Sequence, residues 1–271
     1  MASARGSLER ELLADTADGQ LDQFSLLAAA LTASGCEDRA AAKETESRFA
    51  LAVAAGLAEL QLERDEALRA IGALRLLHRC VLRGAYHPDG DDLQVAIDGG
   101  RFNCVSATLL YQTLAESLGL KVTPIVMPGH VAARVQLADH ELLVDPTSIH
   151  GHEHLWSANV NEPRHRDVRR LSRVQLVALV YYNRAVDELA RRNYAPAYEA
   201  GMKANWLDGQ HRAARTNLVA TLNNWAIDRL QARRWDDAEA LLRRGLQIAS
   251  DEPTLQHNLL LLESRRKQLE M

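Results

Sequence analysis

Between Arg101 and Thr147 the sequence leaves helical periodicity for strand alternation and sets out a cysteine, a histidine and an aspartate in that order. Asn103-Cys104-Val105-Ser106-Ala107-Thr108-Leu109-Leu110-Tyr111 opens an apolar helix that stops at Gly119, a residue suited to a helix C-terminus. Val122 to Val126 reads as a strand, and His130 to Leu137 with Glu141 to Val144 as a hairpin. Val131, Ala133, Val135 and Leu137 fall on one face, which Leu142 and Val144 extend; His130, Arg134 and Gln136 fall on the other. Such a run predicts a small antiparallel sheet packed on the Cys-bearing helix.

The pairing register decides whether the three side chains meet. A tight turn at Ala138-Asp139, pairing Leu137 with His140, puts Asp145 opposite Ala132. Asp145 is then one diagonal step from His130 on the same face, roughly 7–8 Å away at the backbone. A slip of two residues would set Asp145 opposite Arg134, too far from the imidazole.

Cys104, in the first turn of its helix, feels the positive end of the helix dipole, which favours a thiolate. A histidine beside the sulfur would move the proton, and a carboxylate would hold the imidazole in the right tautomer. These assign Cys104, His130 and Asp145 as nucleophile, base and orienter. Each has a plainer alternative: a small buried residue, a structural strand histidine and a turn former. Acyl transfer also needs oxyanion donors. The Cys104 backbone N–H is one candidate and Gln94 a second, with an exposed polar residue as the alternative for Gln94. Arg134 could receive a substrate carboxylate or pair with an acid.

The flanks read as helices. Residues 7–82 show apolar spacing of the helical kind, broken at Asp18-Gly19, Ser34-Gly35 and Glu63-Arg64-Asp65. Cys80 falls there as a small core residue. The loop from Arg83 to Asp92 is polar and turn-rich. Residues 150–173 read as an Arg-rich solvated connector, with an anionic partner as the alternative. His150-Gly151-His152-Glu153-His154 invites a metal reading, but no further ligand set accompanies it and none is assigned. From about Leu176 the chain is helical and repeats itself at an offset of 41 residues: Tyr182-Asn183-Arg184-Ala185 matches Asn223-Asn224-Trp225-Ala226, and Tyr194 and Ala197 match Trp235 and Ala238. Leu255-Gln256-His257-Asn258-Leu259 looks like a third, truncated start.

The string around Cys104, Leu118-Gly119-Leu120 before a strand, Pro128-Gly129-His130 and Val144-Asp145-Pro146-Thr147 together resemble the core of the transglutaminase-like superfamily of papain-type fold. The likeness is close over residues 90–150 and loose elsewhere. The 41-residue repeat resembles tetratricopeptide (TPR) repeats, whose usual period is about 34. A helical front, this core and a TPR-like tail are similar to bacterial SirB-type proteins. The resemblance implies a Cys104-His130-Asp145 triad doing cysteine-dependent acyl transfer or amide hydrolysis on a protein or peptide held by the TPR-like helices. The alternative is a non-catalytic scaffold of the same build.

The expectation is an α+β chain, mostly helical: an N-terminal helical region over 1–90, the core over 91–160 and TPR-like helices over 174–271. The formal net charge of -4 argues against general nucleic-acid binding. The absence of a run of eighteen apolar residues argues against a membrane span, and the N-terminus lacks the apolar core of a signal peptide, so a cytoplasmic location is expected. Three cysteines without zinc spacing suggest neither a disulfide framework nor a metal, and no cofactor is expected.

Overall fold

The computed structural model of the protein describes residues 7–152 and 168–269. These divide into two compact units, residues up to Val180 and residues from Tyr181 onward.

The first unit opens with helices α1 (Ser7–Asp15), α2 (Leu26–Ala33), α3 (Arg39–Gln61), α4 (Glu66–Cys80) and the short α5 (Leu93–Ile97). The breaks expected from sequence fall where helices end and begin. Gly19 and Gly35 lie between helices, while Asp38, Asp65 and Asp92 each cap the next helix by accepting a first-turn amide. Then comes α6 (Cys104–Ser117), the helix around which the unit is built. It is buried on nearly every side because α2, α4 and the sheet all pack on it. Leu109, Leu110, Tyr111 and Leu114 contribute about 1.5–3 kcal/mol each by leaving water. Tyr111 carries its hydroxyl inside by donating to the Ala70 carbonyl at 3.2 Å, which ties α6 to α4.

Three strands follow, β1 (Lys121–Met127), β2 (His130–Gln136) and β3 (Glu141–Val144), and a short β4 (Arg169–Arg170) closes the sheet in the order β3-β2-β1-β4. All pairs are antiparallel. The β1–β2 turn is Pro128-Gly129, with Gly129 at φ 74°, where an L side chain would be strained. The β2–β3 register pairs Ala133 with Val144 and Gln136 with Glu141, and the Leu137 amide donates to the His140 carbonyl at 2.9 Å. This is the tight-turn register that the triad requires. Val131, Ala133, Val135, Leu142 and Val144 are all buried, as their alternation predicts.

Two local readings are corrected. The end of the Arg-rich connector is not a solvated linker. Arg169 and Arg170 pair with β1, the Leu171 amide donates to the Pro124 carbonyl, and Arg170 and Arg173 form ion pairs with Glu141 and Glu116. Those acids supply the partners that the local sequence lacks. Arg164 and Arg166 lie outside the described residues. Cys80, expected in the core, ends α4 half-buried.

The second unit holds the C-terminal part of α7 (Arg173–Ala190), then α8 (Tyr194–Leu207), α9 (Arg212–Gln231), α10 (Trp235–Ile248) and α11 (Pro253–Leu269). The 41-residue repeat is written into the backbone. α8 and α10 have the same length and start 41 residues apart, as do the starts of α9 and α11. The chain enters α8 and α10 through Arg192 and Arg233, which share a left-handed φ of 61° and 60°. The side chains keep the same offset: Asn217 Nδ2 donates to the Tyr182 hydroxyl, and Asn258 Nδ2 donates to Asn223 Oδ1. Ala185, Ala197, Ala226 and Ala238 are buried, where their small size lets neighbouring helices approach closely. No helix of the described residues is long and apolar enough to cross a membrane.

Candidate active site

Asn103 sets where α6 begins. Its Oδ1 accepts the Val105 and Ser106 amides at 3.0 Å each, while Ser106 Oγ accepts the Asn103 amide at 2.9 Å. This reciprocal cap fixes Cys104 as the first helical residue. Both capping side chains are buried and hold the preceding loop down: Asn103 Nδ2 donates to the Pro88 carbonyl and Ser106 Oγ to the Gly90 carbonyl. The Ala107 amide donates to the Asn103 carbonyl. Among the described residues, every first-turn amide is thus occupied except that of Cys104.

His130 stands at the first position of β2, directly after the Pro128-Gly129 turn. Its Nε2 donates to Asp145 Oδ2 at 2.9 Å, and the ring also lies within interaction range of the Cys104 sulfur. With Nε2 committed to the carboxylate, Nδ1 is the nitrogen left for the sulfur. The Asp145 hydrogen bond first, and the interaction with Cys104 second, outweigh burial and hold the imidazole up to about 10, so His130 is an imidazolium at neutral pH.

Asp145 is held from behind. Its Oδ1 accepts the Thr147 amide at 3.0 Å and the Thr147 hydroxyl at 2.7 Å, leaving Oδ2 for the imidazole. Burial pushes this carboxyl up, but the hydrogen bonds from His130 and Thr147 more than offset it and leave it below its ordinary 3.8. The turn beyond closes back on it, because the Asp145 amide donates to the Gly151 carbonyl. A Cβ on Gly151 would lie 1.9 Å from the Asp145 carbonyl oxygen, so only glycine fits. His150 and His152 therefore sit in a turn rather than along a strand, and no cluster of possible metal ligands occurs among the described residues. His154 lies outside the described residues.

Two further side chains join the site. His78 of α4 donates from Nε2 to the Pro146 carbonyl at 3.1 Å and stacks edge-on to Phe102. Burial lowers it, so it stays neutral and braces the Asp145 turn. The Tyr86 hydroxyl lies within interaction range of the Cys104 sulfur. Burial, and then the interactions with Cys104 and Asp145, push Tyr86 above its ordinary 10, so it keeps its proton. Sequence spacing carries no sign of either residue, since both reach the site from distant segments. The Asn103 cap and the Asp145–Thr147 turn did leave local signatures, in Asn-x-x-Ser and Asp-Pro-Thr.

The two other candidates are directed elsewhere. Gln94 Nε2 donates to Thr45 Oγ1 at 3.4 Å, across to α3. Arg134 pairs with Glu141 at 2.9 Å, and Arg170 pairs with the same acid. Of the alternatives raised for Arg134, the ion pair is the one formed.

Comparison with known proteins supplies one match. Residues 41–167 fit the family model described as the transglutaminase-like superfamily, whereas no curated protein and no solved structure matches the chain. The matched span begins within α3, ahead of the boundary expected at 90. It thus takes in α4, which packs on α6 and brings His78 to the Asp145 turn. The cysteine helix, strands β1 to β3 and nearly all of the α3–α5 segment ahead of them fall within one matched span, so residues 41–167 match a domain of the transglutaminase-like superfamily.

Proposed function

We propose that the protein is a cysteine-dependent acyltransferase or amide hydrolase acting on a protein or peptide. The observation that carries this reading is His130 hydrogen-bonded to the Asp145 carboxylate, beside the Cys104 sulfur and charged at neutral pH. In this reading Cys104 attacks an acyl carbon as a thiolate. His130 gives its Nδ1 proton to the leaving amine as the tetrahedral adduct collapses to a thioester. The neutral imidazole then takes a proton from water or an incoming amine, which attacks the thioester and frees the sulfur. Asp145 keeps the ring oriented throughout and stabilises its charged form.

The helical repeat supports the choice of a macromolecular substrate. Its TPR-like build includes a cavity of about 270 Å³ lined by Arg215, Asn223, Asn224 and Leu255 among others. A lining of mixed polar and apolar side chains suits a peptide segment. The same cavity favours a second reading, a non-catalytic scaffold that binds through these helices.

Exposure to an activated ester separates the two. After brief treatment with p-nitrophenyl acetate, the intact mass of the wild type should rise by one acetyl group, and that of Cys104→Ala should not. Equal acetylation of the two proteins, or none in either, would leave the scaffold.

A further inference from the structure

Among the described residues the site has one first-turn amide with no hydrogen bond, that of Cys104 at the start of α6. A single donor is a thin oxyanion site, and Gln94, the second donor expected from sequence, is engaged by Thr45. The Tyr86 hydroxyl is the other donor already at the sulfur. Its placement is built rather than incidental. Tyr86 forms a parallel bridge with Phe102, the Phe102 amide donates to the Ala85 carbonyl, and the His87 amide donates to the Phe102 carbonyl at 2.8 Å. The Tyr86 ring packs edge-on to Phe102 at 6.2 Å between centroids. The strand-like stretch that delivers Tyr86 is therefore stitched to the residues immediately ahead of Cys104. The ring is about half exposed (48%), so it borders open solvent from which a substrate can arrive.

We propose that the Tyr86 hydroxyl and the Cys104 backbone N–H together form the oxyanion site, which makes Tyr86 a further catalytic residue; this rests on the acyl-transfer reading above. In the free protein the hydroxyl neighbours the sulfur. When the thiolate attacks, the carbon–sulfur bond forms and the carbonyl π pair moves onto oxygen. The hydroxyl turns from the sulfur, now a neutral thioether, to that oxygen, while the Cys104 amide holds it from the other side. Collapse re-forms the carbonyl and breaks the bond to the leaving group, which departs with the His130 proton. Tyr86 donates a hydrogen bond throughout and never gives up its own proton, consistent with a hydroxyl that burial and neighbouring negative charge keep protonated.

Tyr86→Phe keeps the ring against Phe102 and removes only the donor. Acylation by p-nitrophenyl acetate should slow by about 10²–10³-fold, the usual cost of one oxyanion donor. Alkylation of Cys104 by iodoacetamide is a displacement at a saturated carbon with no oxyanion, so its rate should stay within about threefold of wild type. The alkylation rate also reports that the site has folded. Unchanged acylation, faster acylation, or an equal fall in both rates would overturn the assignment of Tyr86. A wild type inert to the ester would overturn the acyl-transfer reading itself and this assignment with it.

Discussion

Replacing Asp145 with Ala should lower the single-turnover rate of Cys104 acylation by about 10³–10⁴-fold, the scale of losing the orienting carboxylate in a nucleophile–base–acid triad. The loss has two parts. The His130 ring loses the partner that fixes Nε2 toward the carboxylate and Nδ1 toward the sulfur. It also loses the largest interaction holding it charged at neutral pH. Asp145→Asn should be milder, because its amide oxygen can stand in for Oδ2 and accept from the ring, at the cost of the Thr147 hydrogen bonds to Oδ1. The same substitution has a signature in folding that needs no substrate. His130 is raised from 6.5 to about 10, so the stability it contributes is fully present below 6.5 and is lost as pH rises through about 10. Asp145 is depressed, so its contribution is present above 3.8 and is lost as pH falls through its lowered value. Urea midpoints across this range should therefore decline on both sides in the wild type. In Asp145→Ala the acid decline should shrink and the alkaline decline flatten. An unchanged pH profile would mean that the carboxylate and imidazole are not coupled in solution.

Asn103→Ala should cost about 3 kcal/mol of stability, large for a substitution of one polar side chain. The cap itself is worth about 0.5–2 kcal/mol. Because Asn103 is buried, the Val105 and Ser106 amides and the Pro88 carbonyl lose their partners without gaining water, which adds about 1–3 kcal/mol. The urea midpoint should fall at constant slope. Cys104 acylation should fall as well, since the cap defines where the sulfur and its free amide point. A loss below about 0.5 kcal/mol would show that the cap does not fix the helix start.

The helix, strand and hairpin pattern was legible in the sequence because each element obeys its own period. The β2–β3 register followed from one turn. Of the registers that keep the apolar face together, pairing Leu137 with His140 is the one that lets Asp145 reach His130, and it is the one formed. The 41-residue repeat was legible too, in its matched aromatic and alanine positions, whereas the left-handed backbone that Arg192 and Arg233 share was not. Contacts between distant segments were not. Glu141 and Glu116 turn Arg170 and Arg173 from a solvated run into a sheet edge and a helix start held by ion pairs. Thr45 claims Gln94, His78 arrives from a helix 68 residues away along the chain, and Tyr86 arrives on a loop whose sequence reads only as polar turn. None of these partners is marked by spacing or periodicity.

Competitive alkylation of the three cysteines within one molecule reaches the centre of this account. Cys36, Cys80 and Cys104 are all free and all half-buried, so accessibility alone does not separate them. Only Cys104 faces an imidazolium, a helix N-terminus and a tyrosine hydroxyl. With iodoacetamide at pH 6, where an ordinary thiol is less than about 1% thiolate, peptide mapping should find Cys104 labelled at least about tenfold faster than the other two, with the advantage lost in His130→Ala. Equal, slow labelling at all three positions would contradict an assembled thiolate–imidazolium site.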